Sequence, residues 1–440
     1  MFVDSTTLRA RFAGRLSDLY GKEVPAYTTL LEVSQQVNKR VLERDGADAE
    51  RLGSIDRVTA ERHGAIRVGS PAELAQVARV FSALGMSPTG FYDLRDAHPR
   101  PIPVVSTAFR PTDRTELAKN PFRVFTSMLV PEDRRFFDAD LERRLKQFIS
   151  RRRLFDPEVL ELADRAEADG GLQADAAGRF LDLATASFAL SGEPVDRAWY
   201  DELERVSGVA ADIGGVTTTH INHLTPRVLD IDELYADMQA RGIEMIDKIQ
   251  GPPRWDGPDV LLRQTSFRAL AEPRRYREAD GSIVDGTMRV RFGEVEARGI
   301  ALTPAGRDLY DKAMADQDHW AELMPGSEQE LHDQRLAYFG YRVSPARPAA
   351  APVPGATPYE LVAGGWIVAE PIVYEDFLPR SAAGIFASNL SEAGTMDSDQ
   401  GGAERDLGWL AERIGRTVHV PEDLYLAEST ASFEAAAEAL

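Results

Sequence analysis

Apolar residues recur at helical spacing over the first sixty positions. LRARFAGRLSDLY and VSQQVNKRVLER each repeat them every three or four residues, the pattern of amphipathic helices. From residue 61 the texture changes. HGAIRV is a short β-leaning run, and SPAELAQVARVFSALG returns to helical spacing. Ser70 suits the cap of that helix, Pro71 its first turn and Gly85 its end. TGFYDL, VVSTAFR and FRVFTSMLV then read as strands set between Gly and Pro. Residues 131–210 are charged and helical in pattern, as in DADLERRLKQFISRRRLF and DPEVLELADRAEAD. Strand texture resumes over 217–300. HLTPRVLDID reads as a strand, DELYADMQARG as a helix, and EMIDKIQG, LLRQTSFRAL and TMRVRFGEVEARG as three more strands. Residues 303–335 are helical, ARPAAAPVPGATP is a linker or extended loop, GGWIVAEPIVYEDFLP suggests strands, and the tail is helical.

Two blocks in this pass share an order of elements. One runs from His63 through a helix ending at Gly85 to FRVFTSML. The other runs from His223 through a helix ending at Gly242 to VRFGEVEA. Each is β-α-β-β-β, and each opens with a histidine. The expected architecture is an α+β chain in which two such modules form a curved sheet with a pocket between or within them. Its segments are a helical start (1–60), a first module (61–130), a helical insertion (131–210), a second module (211–302) and a C-terminal extension (303–440) of helices, a Pro/Ala-rich loop and added strands.

Composition narrows the chemistry. The 440 residues include no cysteine, which excludes disulfides, thiolate metal sites, iron–sulfur clusters and cysteine nucleophiles. Acidic residues outnumber basic ones, 71 to 51, an imbalance that argues against broad nucleic-acid binding. The run Arg151, Arg152, Arg153 is one candidate for a local basic patch. No stretch reaches the roughly 18 apolar residues of a membrane span. The charged N-terminus lacks the apolar core of a secretory signal, so a soluble, cytoplasmic protein is expected. No P-loop, dinucleotide fingerprint, nucleophile elbow or helical zinc-protease motif is present.

Of seven histidines, His98, His319, His332 and His419 stand in no ligand spacing. His63 opens a strand whose alternate residues are His63, Ala65 and Arg67, so an imidazole and a guanidinium share one face. Imidazole suits a transition metal, and arginine suits a carboxylate. His220 and His223 are three apart, and a strand would turn them to opposite faces. His223 matches His63 by position, which leaves His220 a structural or supporting residue. Glu294 and Glu296 again share a face. Aligning FRVFT with VRFGE sets Thr126 opposite Glu294, so a single metal site is expected. Two imidazoles and one carboxylate fit a non-haem Fe(II) oxygenase. They fit equally a Zn-, Ni- or Co-dependent lyase or isomerase with Glu296 as its base, and a two-module protein that merely captures a small acid remains open.

The strings ERHGAIRVGS, STAFR, PFRVFTS, HINHLTPRVLDID, LLRQTSF, RFGEVEARGIALTPAGRDLYDK and YEDFLPRSAAGIFASNL resemble the 2-oxoadipate dioxygenase/decarboxylase family over roughly residues 60–395. The resemblance implies a vicinal-oxygen-chelate-like fold and an Fe(II) enzyme. Such an enzyme turns 2-oxoadipate and O2 into D-2-hydroxyglutarate, the (R) isomer, and CO2 in lysine breakdown. It implies His63, His223 and Glu294 as the Fe(II) ligands, with His63 also bordering the substrate and Arg67 as the substrate carboxylate contact. The FLPRSAAGIF segment would approach the substrate in part through backbone at Arg380, where the family pattern has a smaller apolar residue. The implied partners are a small 2-oxo diacid and O2, with no nucleic acid and no membrane. An edge strand or the helical insertion offers a surface for a homo-oligomer.

Overall fold

The computed structural model describes residues 1–97, 101–289, 291–350, 352–378, 396 and 400–440. Two long helices, Ser5–Glu23 and Pro25–Asp45, open the chain after a short strand, Phe2–Asp4. Asp4 caps the first through the Thr7 N–H at 2.7 Å, and Pro25 stands in the first turn of the second. Their apolar stripes, including Leu8, Phe12, Leu16 and Tyr20, then Tyr27, Leu30, Val33 and Val37, are buried in the larger core. Phe2–Asp4 pairs antiparallel with Gly171–Gln173, so the start of the chain is tied to the helices of 131–210.

The central sheet runs in space Ser87–Asp93, Val104–Arg110, Arg123–Leu129, Arg62–Val68, His223–Pro226. The Arg62–Val68 strand is parallel to Arg123–Leu129 and antiparallel to His223–Pro226. Beyond its edge, Arg227 bridges Glu296 in parallel sense, Glu294–Arg298 pairs antiparallel with Leu262–Ser266, and Met245 and Gln250 bridge Phe267 and Gln264. Helix Pro71–Ser82 follows the first central strand, and Ile231–Ala240 follows the second. Alternation along Arg62–Val68 sends Ile66 and Val68 into the core with Leu74, Val77 and Phe81, while Ala65 joins Phe125 and Phe377 on the opposite face.

Three strand expectations change in extent. HLTPRVLDID forms a ladder strand over His223–Pro226, where Pro226 has no N–H to donate, and beyond it makes only the single bridge of Arg227 to Glu296. EMIDKIQG contributes isolated bridges rather than a strand. TMRVRFGEVEARG is broken in two. Its first two residues, Thr287 and Met288, end the second strand of a hairpin, Glu272–Arg277 with Ile283–Met288, and its later part is the strand Glu294–Arg298. The 131–210 segment carries helices Ala139–Arg151, Pro157–Asp169, Ala174–Ser187 and Arg197–Val206. After residue 303 the chain adds helices and the antiparallel pair Phe339–Val343 and Ile367–Pro371. Among the described residues, no helix is long and apolar enough to cross a membrane.

Candidate metal centre

The two central strands bring their histidines together. Ala65 lies directly opposite His223, and His63 opposite Thr225, so both imidazoles emerge on one face. Glu294, at the start of the adjacent strand, completes the group. Its Oε1 is 3.3 Å from His63 Nε2 and its Oε2 is 3.7 Å from His223 Nε2. One ligand atom from each residue lies within 4.8 Å of the others, and all three residues are buried. This group could hold a metal ion. Gln264 donates to Glu294 Oε1 at 2.7 Å and fixes the carboxylate. Gly293 leaves no alternative beside it, since a Cβ there would sit 1.9 Å from Phe267 Cε1.

The surroundings suit ligation. Burial, aided by the nearby charges of His63 and Arg67, holds the His223 imidazolium well below its ordinary range, so the ring is neutral. Burial also pulls His63 down, but the carboxylates of Glu296 and Glu294 outweigh it and raise the imidazole's pKa. Glu296 Oε2 stands 3.1 Å from His63 Nδ1, the nitrogen turned away from Glu294. Arg298 grips Glu296 bidentately, Nε to Oε1 at 2.7 Å and Nη2 to Oε2 at 3.0 Å. Burial raises Glu296, yet Arg298, His63 and Arg123 together hold it down to about 2. A carboxylate so clamped orients His63 and is not free to serve as a general base.

The register corrects one alignment. His63 pairs with Arg123 in the first half, and the Arg227–Glu296 bridge sets Phe292 beside His223 in the second. Counting two onward, the counterpart of Glu294 is Phe125, not Thr126. Phe125 packs on Phe377 at 5.1 Å between ring centroids, and Phe377 stands edge-on to His63 at 5.0 Å. An apolar wall therefore occupies the position of a second carboxylate.

Arg67 is buried on the same strand face, and its Nη1 donates to Asp212. His220 Nε2 lies 3.2 Å from the other oxygen of Asp212, in keeping with a supporting role. Behind His63, Glu61 accepts from Arg123 at 2.7 Å and from Arg227 at 3.1 Å, and Glu375 pairs with Arg123 and Arg57. Asp212, Glu375 and Phe377 carried no local signal, because Asp212 meets Arg67, Glu375 meets Arg123 and Phe377 meets His63 only in the fold. Arg298 had one, its i, i+2 relation to Glu296. His319 is on the surface with Asp316, and His332 packs among Phe339, Tyr341 and Tyr359. His98 and Arg380 lie outside the described residues. In the basic run, Arg152 is spent on Glu73, with both contacts at 2.7 Å.

A mixed sheet that carries a buried His–His–Glu group able to hold a metal ion is an arrangement of glyoxalase-like fold. A putative glyoxalase superfamily protein from Ralstonia eutropha shares that fold at TM-score 0.50 and 20% identity, covering 68% of this chain and 84% of its own. The chain belongs to the 2-oxoadipate dioxygenase/decarboxylase family, whose model matches residues 12–389. It is 60% identical over 425 residues to the 2-oxoadipate dioxygenase/decarboxylase of Mycobacterium tuberculosis, covering 95% of each chain. The Escherichia coli protein of the same name is 41% identical over 423 residues, covering 92% of each. The hydroxyglutarate synthase of Pseudomonas putida, solved in complex with 2-oxoadipate, superposes with TM-score 0.82 at 36% identity, covering 100% of this chain and 99% of its own.

Proposed function

We propose that this chain is an Fe(II)-dependent, cytoplasmic enzyme of lysine breakdown that converts 2-oxoadipate and O2 to (R)-2-hydroxyglutarate and CO2. The observation that carries the reading is the buried His63, His223 and Glu294 group, with Arg67 on the same strand face as His63. Its support from relatives is the family's activity and the solved relative that holds 2-oxoadipate.

The donor set fits a divalent metal. His223 is neutral, Glu294 supplies one carboxylate, and Glu296 stands behind His63. Fe(II) held there supplies Lewis acidity toward the 2-oxo acid and the electrons that activate O2. The chain's own residues do the rest. Arg67, held by Asp212, meets the distal carboxylate of the diacid and sets its reach from His63. Phe125, Phe377 and Phe292 line the ligands with apolar rings and exclude water. Glu296 and Gln264 keep His63 and Glu294 in place.

The two strand groups around His63 and His223 are read as paired β-α-β-β-β modules of vicinal-oxygen-chelate type, over 61–130 and 211–302. The matching parallel neighbours of the two central strands support this reading, with the Glu272–Met288 hairpin as an insertion in the second module.

The test is O2 consumption by the Fe(II)-loaded protein given 2-oxoadipate, with CO2 release followed in the same vessel. Uptake matched by release, and abolished by a chelator, is expected. No uptake by folded, fully loaded protein overturns the assignment.

A further inference from the structure

The helical insertion has no part in the metal group, yet one of its neighbours reaches the substrate side. Helix Gly208–Gly214 follows directly on its last helix and carries Asp212, whose side chain is 1% exposed. One Asp212 oxygen accepts from Arg67 Nη1 and, at 2.9 Å, from Asn222 Nδ2. The other lies 3.2 Å from His220 Nε2. The segment supplying His220 and Asn222 is itself pinned along the His63 strand. Thr219 Oγ1 donates to the Arg67 carbonyl at 2.7 Å, and Asn222 N–H to the Ala65 carbonyl at 2.8 Å. Two chain segments thus converge on one buried carboxylate carried by a third, and that carboxylate holds one arm of the arginine.

We propose that Asp212 is the positioning residue that fixes Arg67 for a distal carboxylate, and so sets the preference for 2-oxo diacids over 2-oxo monoacids. The inference rests on the reading of Arg67 given above. An arginine side chain has several rotatable bonds, and ordering it costs binding free energy when it happens on substrate arrival. Here the ordering is complete beforehand, because Asp212 takes Nη1 and is itself held from two sides. The same contact supplies the counter-charge that a buried guanidinium requires. His220, the first histidine of HINH, and Asn222 acquire a purpose as supports of Asp212.

The discriminating pair of substrates is 2-oxoadipate and 2-oxohexanoate, which have six carbons each and differ in whether the far end is a carboxylate or a methyl. The Asp212→Ala variant is expected to lower the ratio of their kcat/KM values by about 10- to 100-fold, the scale of one displaced charge-assisted contact. Its anaerobic Co(II) affinity, measured by calorimetry, should stay within about twofold of the parent, since Asp212 contacts none of the three ligands. Asp212→Asn keeps an acceptor for Arg67 and is expected to retain more of the ratio. Should Asp212→Ala fold poorly, His220→Ala removes one support and should shift the ratio in the same direction by less. Equal losses for both substrates would make Asp212 a structural residue and overturn the proposal. An unchanged ratio in Asp212→Ala, alongside a collapsed ratio in Arg67→Ala, would overturn it while leaving Arg67 as the carboxylate contact. An unchanged ratio in Arg67→Ala would instead remove the reading on which it stands.

Discussion

Replacing Glu296 by Gln keeps the shape of the side chain and removes its charge. In the parent, Glu296 Oε2 is 3.1 Å from His63 Nδ1, and both oxygens are gripped by Arg298. A carboxylate behind a ligating imidazole fixes the ring and strengthens its free nitrogen as a donor, and losing such a partner weakens metal binding about 10- to 100-fold. That corresponds to about 1.4–2.7 kcal/mol. The same change removes one negative charge from a buried cluster in which Glu61, Glu296 and Glu375 face Arg57, Arg123, Arg227 and Arg298. Removing one partner of a buried ion pair costs about 3–5 kcal/mol. Gln still accepts from Arg298, which keeps the loss near the lower bound. At about 2.1 cal/mol/K per residue for 440 residues, that loss lowers Tm by only about 3–5 °C, so the variant stays folded. The assay is anaerobic competition for Co(II) or Fe(II) against a chromophoric chelator, at 25 °C, with His63→Ala as the reference for a lost ligand. Affinity of Glu296→Gln within about twofold of the parent, while His63→Ala binds far more weakly, would refute the reasoning.

Three further outcomes are expected. Gly293→Ala sets a Cβ 1.9 Å from the buried Phe267 ring and pushes the adjacent Glu294 out of place, so the same competition should show weaker metal binding; overpacking alone costs about 1–3 kcal/mol. Burial raises the Glu116 carboxyl, but Thr6, Lys119 and Arg9 outweigh it and hold it at about 2, below its ordinary 4.5. Its stabilisation is therefore present above about pH 4.5 and lost as pH falls toward 2. Screened at this partly exposed site to about 1–2 kcal/mol, it should appear as a urea-unfolding difference between parent and Glu116→Gln that shrinks between pH 5 and 2.5. Phe125→Glu builds the missing counterpart of Glu294, which should retain metal but suppress O2 uptake by filling an open position; full activity in that variant would contradict the register argument.

The parts of the site written in strand parity were legible in the chain. His63 and Arg67 fall on one face because they are four apart, Glu294 and Glu296 because they are two apart, and both pairings hold in three dimensions. His223 was reachable through the repeated order of elements. Parity failed where the backbone departs from a regular strand. Pro226 ends the second central strand after four residues, and the register past it could be counted only once the Arg227–Glu296 bridge was known. The one-residue slip between Thr126 and Phe125 follows from that. The hairpin Glu272–Met288 was hidden for a related reason. Its strands alternate exposed and half-buried residues and then run without a turn signal into the motif that holds Glu294.

What local pattern could not reveal is which distant charges converge behind the metal group. Glu61 meets Arg123 across 62 positions, and Arg123 meets Glu375 across 252. None of these pairs has a sequence spacing that a helix or strand would repeat. Their placement carries the argument about what the C-terminal extension is for. Arg298 clamps Glu296 with one edge and, through Nη1, donates to the carbonyls of Tyr374 at 2.8 Å and Asp376 at 3.0 Å. Asp376 is gripped in turn by Arg110, at 2.8 and 2.9 Å, and by the Tyr425 hydroxyl, which donates at 2.5 Å. The next residue, Phe377, lays its ring against His63. One arginine therefore sets both the carboxylate behind His63 and the backbone that delivers the aromatic wall beside it. Buried charge pairs contribute little net stability, and their value here is geometric, since they leave this segment one place to sit. Residues 374–377, inside the 303–440 segment read from the sequence as an extension beyond the second module, thus border the His63, His223 and Glu294 group.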